Sequence, residues 1–95
     1  MAIRVLMKRK VPEDKVEQLK ILLDKMRSLA LDQPGYATGE TLKRIDEPGE
    51  SLVISKWKAI SAWERWYRNP KREAVQKEID ALLGTPTVYE IYDYD

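Results

Sequence analysis

Nine side chains, gathered mostly in the second half of the chain, carry its capacity for chemistry: Tyr36, Trp57, Trp63, Trp66, Tyr67 and Tyr89 among the aromatics, and Asn69, Arg72 and Gln76 among the polar residues. All three tryptophans fall between positions 57 and 66. Such a set suits a planar, electron-rich organic molecule, held by ring contacts and oriented by a few hydrogen bonds. The chain has no histidine and no cysteine. Serines 28, 51, 55 and 61 therefore lack a histidine base to activate them, and no thiolate is available. A metal would have to rely on carboxylates and carbonyls, the ligands of Mg or Ca. The available groups, Asp46, Glu47 and Glu50, or Asp93 and Asp95, read as an exposed turn and terminus, so no metal site is expected. Neither GxGxxG nor GxxxxGK[ST] occurs, which disfavours a nucleotide-phosphate loop. A helical aromatic stripe is also ordinary core, and Trp63 in particular fits that reading.

Lys and Arg total 17 against 16 Asp and Glu, a net charge of +1 over 95 residues. That balance gives no bulk attraction to nucleic acid or to an anionic membrane. The local clusters Lys8-Arg9-Lys10, Lys43-Arg44, and Arg65, Arg68, Lys71 and Arg72 read as solvated surface. No stretch approaches the ~20 apolar residues of a membrane span. The start, Met1-Ala2-Ile3-Arg4-Val5, shows no signal-peptide pattern. The expectation is one soluble, cytoplasmic domain over residues 1–95, with a small core that oligomerisation would enlarge.

The elements that must position the aromatic set follow from periodicity. Residues 2–10 alternate Ile3, Val5 and Met7 with Arg4, Leu6 and Lys8, a strand whose second face is partly apolar. Pro12-Glu13-Asp14 opens a helix. Its stripe is Val16, Leu19, Leu22, Leu23, Met26, Leu29 and Ala30, and Pro34-Gly35 ends it. Residues 36–45 and 51–58 read as a hairpin about Asp46-Glu47-Pro48-Gly49. Ser61-Ala62-Trp63-Glu64 has the form of a capping box, with Ser61 as the cap of a helix bearing Trp63, Trp66 and Tyr67 on one face. Asn69-Pro70 interrupts that helix, and residues 72–83 continue it with Val75, Ile79, Leu82 and Leu83 inward. Residues 87–94 form the last strand, with Tyr89 and Ile91 on one face and Val88, Tyr92 and Tyr94 on the other. The order β-α-β-β-α-β predicts a ferredoxin-like α+β sandwich with an antiparallel sheet. Helices can cover one sheet face only. The apolar residues on the other face predict a homodimer, sheet face against sheet face.

Gly35-Tyr36 after the first helix, Leu52-Val53-Ile54-Ser55-Lys56-Trp57 on a strand, and Ala62-Trp63-Glu64-Arg65-Trp66 on the next helix make the chain resemble the antibiotic biosynthesis monooxygenase family, a branch of the dimeric α+β barrel proteins. The resemblance implies a pocket between sheet and helices in each subunit, with Trp66 as its wall. It also implies, in one branch, cofactor-free oxygenation of polyphenolic or quinol-like substrates. The haem-degrading branch of the family holds iron with a histidine and uses an asparagine late in the first strand. This chain has no histidine, and offers Leu6, Met7 and Lys8 in that strand, which disfavours haem degradation.

On this resemblance the first functional reading is a cofactor-independent monooxygenase of a small aromatic compound. Trp66, Asn69 and Arg72 are then the catalytic candidates, and Tyr36, Trp57, Trp63, Tyr67, Gln76 and Tyr89 bind substrate. Arg72 would favour a substrate anion, and Asn69 or a tyrosine would hydrogen-bond its oxygen. The second reading is a non-catalytic, small-ligand-binding or stress-related protein of the same fold.

Overall fold

The computed structural model describes residues 2–94. Asp95, one of the carboxylates weighed as a metal ligand, lies outside them. Strand β1 (Ile3–Lys10) leads through a single 3-10 turn (Glu13–Lys15) into helix α1 (Val16–Leu31). Strands β2 (Tyr36–Lys43) and β3 (Glu50–Trp57) form a hairpin, followed by α2 (Ile60–Tyr67), α3 (Pro70–Leu83) and β4 (Val88–Asp93). The sheet order is β2-β3-β1-β4 and every neighbouring pair is antiparallel. This is the expected ferredoxin-like α+β arrangement, in which each helical crossover spans one intervening strand.

Local chemistry sets the joints. Asn69 caps α3: its side chain accepts a hydrogen bond from the Lys71 backbone N–H at 2.8 Å, and Pro70 follows at the first helical position. That pairing supplies one orphan amide with a partner and wastes none on proline. Gly84, at φ +70°, closes α3 in the left-handed conformation that glycine adopts without steric cost. Ser61 is not the cap of α2. The capping position is Ala59, no side chain caps this helix, and Ser61 sits exposed inside its first turn. The Ser-x-x-Glu pattern falls two residues too late to meet the free amides.

Period-two alternation divides the sheet. Ile3, Val5, Met7 and Arg9 face the helices, opposite Trp57, Ser55, Val53 and Ser51 of β3. Of the four, Ile3, Val5 and Arg9 are buried and Met7 is partly buried. Arg9 therefore departs from the solvated-surface reading of Lys8-Arg9-Lys10, because it occupies the inward phase of the strand. Two apolar clusters meet under α1. One joins Ile3, Val5, Ala30, Trp57, Ala62, Trp63 and Trp66. The other joins Leu19 to Val11, Val75 and Ile79. Val16 and Ile91, expected on inward faces, are 47% and 49% exposed, since each lies near the edge of the covered area. On the open face, Leu6 pairs with Ile54, and Leu42 with Leu52.

Gly35 holds two connections together. Its carbonyl accepts from the Lys58 N–H at 2.8 Å, and its φ is +87°. A Cβ there would lie 2.5 Å from that of Ala62 on α2. Gly35→Ala should cost roughly 2–4 kcal/mol, the sum of left-handed strain and overpacking. Gly84→Ala, where no atom lies within 4 Å of the new methyl, should cost about 1 kcal/mol. Urea denaturation of the two variants should separate them; equal losses would contradict the role given to the Gly35–Ala62 contact.

Candidate functional site

A cleft of about 90 Å³ opens between the inner face of the sheet and α1. Its floor is Met7 and Arg9 of β1 with Val53, Ser55 and Trp57 of β3. Leu23, Met26 and Ala30 of α1 form the roof, and Trp66 of α2 closes one end. Tyr36, Gly39 and Thr41 line it from β2, and the exposed side chains of Asp24, Arg27 and Glu40 mark where it reaches the surface.

Tyr36 reaches the cleft because β2 carries a bulge. Three residues from Tyr36 to Gly39 oppose the two-residue step from Trp57 to Ser55. In a regular strand, residues three apart point to opposite faces; the bulge lets Tyr36 and Gly39 share one. Gly39 also leaves the space that the Tyr36 hydroxyl fills: a Cβ at position 39 would lie 2.3 Å from that oxygen. Trp57 is fully buried at the centre. Its indole N–H donates to Ser55 Oγ at 3.0 Å. Tyr36 and Trp63 meet it edge to face, at centroid distances of 5.2 and 5.9 Å, and Trp66 stacks on it at 6.2 Å. Among the described residues, Trp57 is the one tryptophan whose indole donates a hydrogen bond.

Behind these rings lies a second layer. Trp63 packs against Tyr67 and Tyr89, whose rings meet edge to face at 5.5 Å. The Arg72 guanidinium lies 4.5 Å above the Tyr67 ring, within cation–π range, and donates from Nε to the Tyr67 carbonyl at 2.9 Å. Its Nη1 donates to the Tyr89 hydroxyl at 3.0 Å, and that hydroxyl donates to Gln76 Oε1 at 3.1 Å. Gln76 Nε2 donates to Asp80 Oδ1 and to Thr87 Oγ1, both at 2.9 Å. Thr87 Oγ1 also accepts from Arg9 Nε at 2.9 Å. One hydrogen-bonded chain thus runs from the end of α2 to the floor of the cleft. Burial pulls the Arg9 guanidinium below its ordinary pKa, and nearby Arg72 adds to that shift, while Tyr89 and Asp80 oppose it.

Of the residues singled out from the sequence, Tyr36, Trp57 and Trp66 line the cleft. Trp63, Tyr67, Arg72, Gln76 and Tyr89 form the layer behind it, and Asn69 caps α3 while its amide donates to Gln33 Oε1 at 3.5 Å. Arg9 was not among them. Its signal was in the sequence nonetheless: Ile3, Val5, Met7 and Arg9 share one phase of the alternation. Of the acidic residues weighed for a metal, Asp46, Glu47 and Glu50 all pair with Arg44, at 2.8, 2.9 and 2.6 Å.

The sequence profile of the antibiotic biosynthesis monooxygenase family matches residues 2–78, which takes in β1 to α2, the first part of α3 and every cleft-lining residue. The protein YqjZ of Bacillus subtilis (strain 168) is 29% identical over 69 residues, 73% of this chain and 54% of that protein. The chain thus spans about half the length of the curated relative it matches. Among solved structures, a conserved protein from Methanosarcina mazei Go1 superposes with a TM-score of 0.91 at 20% identity, covering 100% of this chain and 94% of that one. SnoaB, a cofactor-independent oxygenase from Streptomyces nogalater, gives 0.86 at 15% identity, covering 99% and 93%. Rv0793 from Mycobacterium tuberculosis gives 0.86 at 17%, covering 99% and 95%. At these identities the structures establish a shared fold. With the profile match extending over most of its length, the chain belongs to the antibiotic biosynthesis monooxygenase family.

Proposed function

We propose that this chain is a cofactor-independent monooxygenase of a small aromatic, polyphenolic or quinol-like compound. The observation that carries the reading is the cleft itself: Trp57, Trp66 and Tyr36 form an aromatic wall, beside the polar groups of Ser55, Thr41 and Arg9. A substrate ionised to a phenolate or enolate gives an electron to dioxygen, and the two radicals combine at the ring carbon. Loss of water from the resulting peroxide converts a CH₂ to a carbonyl. One oxygen atom enters the product and the other leaves as water. The protein's share is positioning and exclusion of solvent. In this reading Trp66 touches the substrate and donates from its indole nitrogen. Arg72, Asn69, Trp63, Tyr67, Gln76 and Tyr89 act from behind, holding α2 and α3 in place.

One observation favours the non-catalytic reading. The cleft's free volume, about 90 Å³, is smaller than the ~150 Å³ of an engineered cavity that admits benzene. Any ring-bearing substrate therefore requires the side chains at the mouth or α1 to shift. Oxygen-uptake screening against phenols, quinols and anthrones decides between the two. Uptake should persist with chelator and without flavin or nicotinamide, and no uptake across the panel would sink the oxygenase reading. On a confirmed substrate, Trp66→Phe should lower turnover or affinity by roughly tenfold, the worth of one ligand hydrogen bond. Trp63→Phe should change it less, and Trp63→Ala should cost roughly 3–5 kcal/mol of stability. Greater functional damage from Trp63→Phe at equal stability would reverse the assignment.

We propose further that a second copy of the chain covers the open sheet face. Leu42, Val88 and Tyr92 are exposed there, around the partly buried Leu6, Leu52 and Ile54. Among the described residues no helix is long and apolar enough to cross a membrane, so a membrane-spanning helix does not account for this surface. Sedimentation at micromolar concentration should give about twice 11.1 kDa. Tyr92→Asp should shift the equilibrium toward monomer. A wild-type protein that stays monomeric would refute the interface.

A further inference from the structure

Arg9 is 5% exposed, and among the described residues its Nη1 is the one buried side-chain nitrogen or oxygen without a hydrogen-bond partner. A guanidinium keeps its proton at any ordinary pH, so this is a buried charge and not merely a buried polar group. Among the described residues no carboxylate lies within ion-pairing distance of it. Asp80 is exposed and takes its hydrogen bond from Gln76. The other guanidinium of the network, Arg72, is occupied by the Tyr67 carbonyl and the Tyr89 hydroxyl. Among the described residues, the buried layer thus holds two cations and no anion. A buried ion without a counter-ion carries a desolvation penalty of several kcal/mol. An anion delivered from outside would offset it through charge-assisted hydrogen bonds.

We infer that Arg9 is the specificity-determining residue of the cleft, and that the ligand is an aromatic compound bearing a carboxylate or similarly compact oxyanion. The inference rests on the reading of the cleft as the ligand site. The Arg9 side chain is held from one side, where Thr87 Oγ1 accepts from its Nε, and Arg9 is a lining residue of the cleft. The aromatic wall is at the opposite end: Trp57 pairs with Ile3, six residues along β1 from Arg9. Six residues of strand is roughly 20 Å, so a ring against Trp66, joined by an extended flexible spacer to an anionic head, spans the two features with the long side chains of Trp66 and Arg9 closing the remainder. A neutral ring satisfies only one of them.

The test uses 5-phenylpentanoate and its neutral isostere, 5-phenylpentanamide. Each is titrated into the full chain at fixed ionic strength and followed on the indole N–H signals of Trp57 and Trp66 in ¹H–¹⁵N spectra. The carboxylate should bind at least about tenfold more tightly than the amide, the return expected for one charge-assisted pair. Arg9→Met should bring the carboxylate down to the affinity of the amide, and Arg9→Lys should keep part of the preference. Without ligand, the melting temperature of Arg9→Met should equal or exceed that of the wild type, since the substitution removes an uncompensated charge. Should Arg9→Met fail to fold, Arg9→Gln gives the same comparison. Equal affinities in the wild type, or a preference that survives Arg9→Met, would overturn the assignment while leaving the cleft as a ring-binding site. If neither compound moves the two indole signals, the cleft reading fails as well. Absence of oxygen uptake would leave the carboxylate preference standing.

Discussion

Burial of Trp57 is the constraint on which the rest of the architecture depends. It ends β3, has no exposed surface, and meets Tyr36 from β2 and both tryptophans of α2. Aromatic pairs of this kind contribute about 0.5–1.5 kcal/mol each beyond the area they bury. Three of them converge on one ring, so sheet, hairpin and α2 are fixed to one another at a single point. The Ser55 hydroxyl takes the indole proton and thereby removes the cost of burying an unpaired donor. Gly35 and Ala62 approach beside the same point, which brings α2 close to the sheet.

Two functions are divided between the faces of this node. Trp66 and Tyr36 carry the cleft side. Trp63 carries the other side, where Tyr67, Tyr89 and Arg72 pack into a polar-aromatic layer. The hydrogen-bonded chain from Arg72 through Tyr89, Gln76 and Thr87 to Arg9 ties that layer back to the cleft floor. A fully satisfied buried network rigidifies the groups it joins. This one is satisfied up to the buried Nη1 of Arg9, a residue that lines the cleft.

Much of the fold was legible because its signals are periodic and local. The alternation in β1, the stripe of α1 and the Asn69-Pro70 break each specify one element without reference to another. What escaped depends on tertiary context. The bulge after Tyr36 leaves no mark on hydropathy, yet it decides which face Tyr36 occupies. The cap of α2 was misplaced because Ser-x-x-Glu is meaningful only where the chain enters the helix, and the sheet register sets that point at Ala59. Trp63 and Trp66 both lie inward, as their spacing predicts, and periodicity alone does not separate the one behind Trp57 from the one at the cleft; only the resemblance points to Trp66. Arg72 shares the buried stripe with Gln76, Val75 and Ile79, a spacing that hides its burial from any rule that sends charge to the surface, although both polar residues stand among the site candidates. Arg9 was hidden in the same way, inside a run of three basic residues.

The account stands on the claim that a ring-bearing ligand enters between α1 and the sheet. The most direct measurement is the electron density of crystals grown with a quinol such as methoxyhydroquinone. The account predicts its ring against Trp66, with Tyr36 at its edge and an oxygen within hydrogen-bonding distance of the Trp66 indole nitrogen. A quinol bound instead on the open sheet face, with the cleft unchanged, would contradict it.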